Sequence, residues 1–319
     1  MTAAEQLAAN SAAALASCEL RLREALDDGG PRVTDPALTT LAAGGKRVRV
    51  LLVLSCAGQR VEPTPNAVRA AAAVELVHMA TLVHDDLLDG ATMRRGRETV
   101  ASAAGPDAAV RVGDFIFARA FRELTDAGSP VAVRLLAHAA SELSLGELAQ
   151  GRAAFDAELT LDRYLARVRQ KTASLFEASC RIGALIGGAS QAEQDEVGAF
   201  GAAIGMAFQI FDDILDITGD STTMGKRRGA DLRDGTITLP MILALQDPGD
   251  LPELLRGRLG DDDVEAVCER LAAHPATARA REYALDYVAT ARAHLEDTIE
   301  VADTEALLAL ADGVVDRYS

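Results

Sequence analysis

Apolar residues recur every three to four positions along nearly the whole chain, the period of helices that each bury one face. The pattern predicts helices near residues 3–27, 36–57, 65–89, 107–126, 131–153, 161–187, 193–217, 237–246, 262–273, 276–298 and 303–316. No run alternates convincingly with the period of two that marks a strand. Between the helices lie breaks such as DDGGP, VEPTPN, DAGSP and QDPGD, which are turn chemistry rather than linkers. With no low-complexity tract between two halves, the expectation is a single all-α domain over residues 1–319.

Composition sharpens the picture. Aromatic residues are 4% of the chain, tryptophan is absent, and alanine and leucine dominate, a bias toward helix over sheet. Its 319 residues, 49% hydrophobic and 25% charged, suit a soluble protein with a sizeable core. The opening MTAAEQLAANSAAALASCEL carries acidic and polar residues through its Ala-rich stretch, unlike a secretory signal. No apolar run is read as approaching the ~20 residues of a membrane span. Cys18, Cys56, Cys180 and Cys268 form no CxxC pair and are expected as reduced, buried thiols of a cytoplasmic protein.

A formal charge of −16 argues against general nucleic-acid binding. It also conflicts with a phosphorylated substrate, unless basic groups converge locally or cations are bound.

The acids themselves point to cations. In LVHDDLLDGATMRRG, residues 82–96, Asp85, Asp86 and Asp89 close an apolar helix, where the helix dipole disfavours carboxylates. At 100° per residue His78, Asp85 and Asp89 share nearly one face, with Asp86 beside it. The spacing recurs 127 residues later in FGAAIGMAFQIFDDILDITGD as Asp212, Asp213 and Asp216, with Gln209 one turn earlier. Carboxylates grouped in this way suit Mg²⁺, which takes oxygen ligands and leaves positions for phosphates.

Of 32 basic residues only Lys46, Lys171 and Lys226 are lysines, in GGKRVR, RQKTASLFEA and MGKRRGADLRDG. A compact ammonium on a flexible stem serves as a point-charge phosphate contact.

These motifs carry a resemblance. The paired DDxxD clusters, RRG after the first and GADLRDGTITLP after the second, together with GGKRVRVLLVLSCAG and KTASLFEASCRIGA, resemble the trans-type polyprenyl diphosphate synthases from about Leu41 to Pro240. The resemblance implies an all-α fold around a deep central cavity, usually dimeric. It implies Asp85, Asp86 and Asp89 as the first magnesium cluster and Asp212, Asp213 and Asp216 as the second. Lys46, Arg49, His78 and Arg95 are expected to hold isopentenyl diphosphate, and Arg94, Lys171, Thr172, Gln209 and Lys226 the allylic diphosphate. His84 is left structural.

The reaction so implied ionises the allylic C1–O bond with help from the metals and cations, and the isopentenyl double bond then attacks the carbocation. The product tail is expected to grow past Thr81, Ala80 and Val77, where no aromatic blocks it, giving geranylgeranyl or a longer chain. Three positions depart from the family pattern: Val50 for a common proline, Thr236 for a common lysine that Arg233 could replace, and Arg227 for another proline. A class I terpene cyclase would not need the second diphosphate site, and a non-catalytic subunit of a heteromeric synthase would be expected to have lost acids. A homodimer with at most peripheral membrane contact is the expected assembly.

Overall fold

The computed structural model describes residues 9, 11–219, 228–256, 260–295 and 300–316. In chain order the helices are α1 (Ala12–Leu26), α2 (Pro31–Ala42), α3 (Val48–Cys56) and α4 (Pro65–Leu88). A hairpin of β1 (Met93–Arg94) and β2 (Arg97–Glu98) leads to α5 (Val100–Ala104), α6 (Pro106–Asp126), α7 (Pro130–Arg152) and α8 (Leu161–Val168). A π-helical turn, Arg169–Ala173, joins α8 to α9 (Ser174–Gly187). Then come α10 (Gln191–Thr218), α11 (Ala230–Asp234), α12 (Leu239–Leu245), α13 (Leu251–Arg256), α14 (Asp261–Ala273), α15 (Pro275–Ala293) and α16 (Thr304–Asp316).

Local chemistry sets the long helices. The side chains of Thr64, Ser129, Thr160 and Ser190 accept backbone N–H groups at the starts of α4, α7, α8 and α10. Pro65 and Pro130 occupy first-turn positions, where no intrahelical donor is lost. Glu193 returns a hydrogen bond to the Ser190 backbone, completing a capping box.

The helix expected at 36–57 is two helices. Gly44 (φ 74°) and Arg47 (φ 49°) adopt left-handed backbone, which ends α2 and redirects the chain into α3. The helix expected at 161–187 is divided by the π turn, and the segment read without strands contains the small hairpin. Residues 3–8 and 10 of the expected first helix, and 296–298 of the helix expected at 276–298, lie outside the described residues.

Two apolar clusters form the core. One gathers α1, α2, α4, α6 and α7, the other α10, α12 and α14–α16. α3 and α9 serve both: Val50, Val53, Leu175 and Ile182 face the first, and Leu52, Cys56, Phe176 and Cys180 the second. The two DDxxD helices thus belong to different clusters and flank the space between them. Contrary to the expectation from sequence, α4 and α10 are each long and apolar enough to cross a membrane, but 67% and 78% of their apolar windows are buried inside the fold. The apolar character of these helices is that of core helices. All four cysteines are buried and free.

Candidate active site

A cavity of about 880 Å³ opens between the clusters. It follows α4 from Glu75 to Asp89, about 21 Å at 1.5 Å per residue. Asp85 of α4 and Asp89, which caps that helix, line it, as does Asp212 of α10. Lys46, Arg49, His78, Arg94, Arg95, Lys171, Thr172 and Gln209 line it too. Every sequence-identified diphosphate residue within the described segments therefore reaches one space. Lys226 lies outside those segments, as does Arg227.

The other three acids turn to protein donors. Arg94 Nε donates to Asp86 Oδ1 at 2.6 Å. Asp213 accepts from Tyr164 Oη at 2.6 Å and from Gln209 Nε2 at 2.8 Å. Asp216 is 1% exposed and accepts the backbone N–H groups of Ala230 (3.3 Å) and Asp231 (3.0 Å). Thr172 Oγ1 donates to Gln209 Oε1 at 2.7 Å, extending a chain from the π turn to Asp213.

Burial governs the charges. It pushes the Asp85 carboxyl up to about 7; Lys171 opposes the rise, while Glu147 and Asp89 add to it. Burial raises Asp89 as well, against the pull of Lys171. These hard oxygen donors, costly to ionise when alone, fit a divalent cation. Among the described residues no three His, Cys, Asp or Glu groups converge closely enough to hold a metal by themselves. A cation held by two or three of these aspartates completes its oxygen shell from water or from a phosphate ligand, as Mg²⁺ commonly does.

On the cationic side Arg49 stands out. Burial lowers the Arg49 guanidinium to about 10, with Glu75 pulling the other way. Its Nε is buried without a hydrogen-bond partner, and its Cζ lies 4.7 Å from the centre of the Phe176 ring. His78 is held well below its ordinary value by burial and then by Arg49, Arg95, Arg94 and Arg47, so its imidazole is neutral at pH 7. Arg95, at φ 50° in the hairpin turn, donates to the Gly44 carbonyl and so reaches the α2–α3 turn. Arg47 is occupied by Glu75 at 2.7 Å and Glu19 at 3.1 Å.

Of the tail residues, Thr81 lines the cavity, whereas Ala80 and Val77 are fully buried in the core. Phe117, Leu143, Leu175 and Phe208 complete the apolar lining. His84, read as structural, also lines the cavity and stacks on Phe117 with 5.9 Å between ring centres. Arg233 donates to the Arg228 carbonyl at 2.6 Å and does not line the cavity, and Thr236 is bonded to the Asp231 carbonyl at 2.8 Å. Val50 is core. Sequence reasoning missed Glu147, Tyr164 and Glu75; a buried tyrosine two turns before Lys171 was the available signal for the second.

Helices packed around a deep cavity, with aspartates and cations converging on it, define the isoprenoid synthase class of fold. The chain belongs to the polyprenyl synthetase family, whose model matches residues 31–271, and it is a prenyltransferase. It is 37% identical over 292 residues to a nonaprenyl diphosphate synthase of Mycobacterium tuberculosis, covering 90% of this chain and 87% of that protein. It is 40% identical over 233 residues to heptaprenyl diphosphate synthase component 2 of Geobacillus stearothermophilus, covering 73% of each. Among solved structures, a polyprenyl synthase from Caulobacter crescentus complexed with calcium and isoprenyl diphosphate matches at TM-score 0.92 and 33% identity, over 99% of this chain and 98% of that one.

Proposed function

We propose that the protein condenses isopentenyl diphosphate with an allylic prenyl diphosphate, head to tail and in trans geometry, to give geranylgeranyl or a longer polyprenyl diphosphate. The observation that carries this reading is one cavity lined together by Asp85, Asp89 and Asp212, by Lys46, Arg49, Arg95 and Lys171, and by Thr81, Phe117, Leu143, Leu175 and Phe208. It combines acids for Mg²⁺, cations for two diphosphates and apolar walls for a tail. The calcium and isoprenyl diphosphate of the Caulobacter structure support the same ligand classes here.

Bound Mg²⁺ supplies charge stabilisation to the departing diphosphate. Asp85, Asp89 and Asp212 are the residues that face the cavity to hold it. Asp86, Asp213 and Asp216 complete the clusters from positions now bonded to protein donors. Lys171 and Arg94, with Thr172 and Gln209, hold the allylic diphosphate and stabilise the charge that develops on it as C1–O breaks. Arg49, Lys46 and Arg95 bind the isopentenyl diphosphate; the buried Arg49 Nε has a donor to give, in surroundings where an ionic contact is strong. Neutral His78 adds a hydrogen bond without adding charge. The apolar walls exclude water from the allylic cation until the isopentenyl double bond attacks C1. The proton then leaves to the released diphosphate.

A second copy of the chain covers the exposed Val110 of α6 and Leu145 and Leu148 of α7 in this reading. The component 2 name of one relative favours a second reading, a different partner on the same face. The four buried thiols suit a reducing cytoplasm. The test is mass spectrometry of products from purified protein, Mg²⁺, isopentenyl diphosphate and farnesyl diphosphate. A ladder ending at one length, geranylgeranyl or beyond, is expected. Cyclised hydrocarbon, or no isopentenyl consumption by folded protein with several allylic starters, refutes the reading.

A further inference from the structure

We infer that Glu147 is a positioning residue whose carboxylate neutralises Lys171, so that the lysine does not expel the cation from Asp85 and Asp89. The inference rests on the cation role proposed above for that pair of aspartates.

Glu147 Oε2 stands 2.5 Å from Lys171 Nζ, which also donates to Gln150 Oε1 at 3.2 Å. The two charged side chains are 21% and 25% exposed, so water screens them only in part. The backbone is built for this approach. A Cβ at Gly146 would lie 2.6 Å from the Lys171 backbone nitrogen, so α7 meets the π turn closely because residue 146 has no side chain. The π turn itself, costly relative to a continuous helix, presents Lys171 and Thr172 to the cavity.

An ammonium facing two carboxylates competes electrostatically with any metal they would hold. The Lys171 charge acts on both Asp85 and Asp89, and the Glu147 charge acts on both in the opposite sense. As a pair, Lys171 and Glu147 add no net charge to the cation site. When a diphosphate draws Lys171 away, Glu147 remains as an added negative charge facing that site. Cation affinity is thereby tied to arrival of the diphosphate, and this is the role the carboxylate plays through Lys171.

Mn²⁺ alone, followed by the loss of its free-ion paramagnetic resonance signal on titration with full-length protein, is the probe. Thermal melts in chelator run alongside. Glu147→Gln is expected to weaken Mn²⁺ roughly fivefold, the effect of one unopposed charge in a partly screened site. Lys171→Met is expected to tighten it, and Glu147→Gln/Lys171→Met to return to within about twofold of the parent, since the two effects share one interaction. A merely structural Glu147 would lower melting temperatures without this opposed pattern. Unchanged Mn²⁺ affinity in Glu147→Gln, or a double variant as weak as the single, overturns the inference. Asp85→Asn separates the two levels. Mn²⁺ binding that survives Asp85→Asn refutes the cation site and the inference with it. Binding lost in Asp85→Asn but indifferent to Glu147→Gln overturns the inference alone.

Discussion

Tyr164 has no part in the sequence motifs, yet its hydroxyl donates to Asp213 at 2.6 Å from a fully buried ring. Tyr164→Phe removes one oxygen and leaves the ring in place, so packing loss is small. The loss falls on Asp213, which is 5% exposed and, among the described residues, retains Gln209 Nε2, at 2.8 Å, as its side-chain donor. A hydrogen bond to a charged group contributes about 1.5–3 kcal/mol. At about 2 cal/mol/K of unfolding entropy per residue, a chain of this length melts roughly 2–5 °C lower for that loss.

The sign of the pH dependence follows from the same bond. Burial raises Asp213 above its ordinary 3.8, while Tyr164 and Gln209 pull it down. Deleting the hydroxyl therefore raises it further. Because Asp213 is raised from 3.8 to about 6, its ionisation costs stability that accrues as pH rises from 3.8 and is complete above the folded-state value. The extra cost of raising it further in Tyr164→Phe therefore grows as pH rises past about 6. The melting deficit of Tyr164→Phe, measured without metal, is then larger at pH 8 than at pH 5. The acid limb of kcat/KM for Mg²⁺-dependent turnover moves to higher pH. Equal deficits at both pH values together with an unmoved acid limb would refute the assignment of Tyr164 as the donor that keeps Asp213 charged.

Two further substitutions separate binding from folding. Arg49→Met removes a buried guanidinium whose Nε has no partner, so the melting temperature should hold or rise while KM for isopentenyl diphosphate increases at least tenfold, about 1.4 kcal/mol, in steady-state assays. Thr81→Phe, in the cavity wall, should shorten the product seen by mass spectrometry with little loss of stability. Ala80→Phe, in the core, should instead destabilise by roughly 1–3 kcal/mol through overpacking.

The contrast between Thr81 and Ala80 shows what a sequence can deliver. Helix geometry alone puts residue 81 about 40° from Asp85 and residue 80 about 140° away, so counting turns rather than angles blurred the two. The acid clusters, the rare lysines and the RRG segment were legible because their chemistry is local and repeated. Tyr164 was not, since its partner is 49 residues distant. The break at Gly44 was hidden for a different reason. Ala37 and Leu41 before it, and Val50 and Val53 after it, bury in the same cluster, so the apolar rhythm continues across a turn. The π turn is likewise invisible to periodicity, because it disturbs the helix for only five residues.

The division within each acid cluster has a common physical cause. A buried carboxylate needs donors, and the aspartates that turn from the cavity find them in chain that follows their own motif. Asp86 takes Arg94 of the hairpin eight residues on. Asp216 takes the backbone of Ala230 and Asp231, 14 and 15 residues on. Asp213 differs, reaching Tyr164 across the fold. Two acids thus anchor the segments that carry the next functional groups: the first brings Arg94 and Arg95 to the cavity, the second fixes the start of α11. Asp85, Asp89 and Asp212 are the acids of the two clusters that line the cavity. A single aspartate per helix could face a cation but could not also place the arginines beside it. The repeated motif meets both demands, which is why three carboxylates end an apolar helix where one would already be costly.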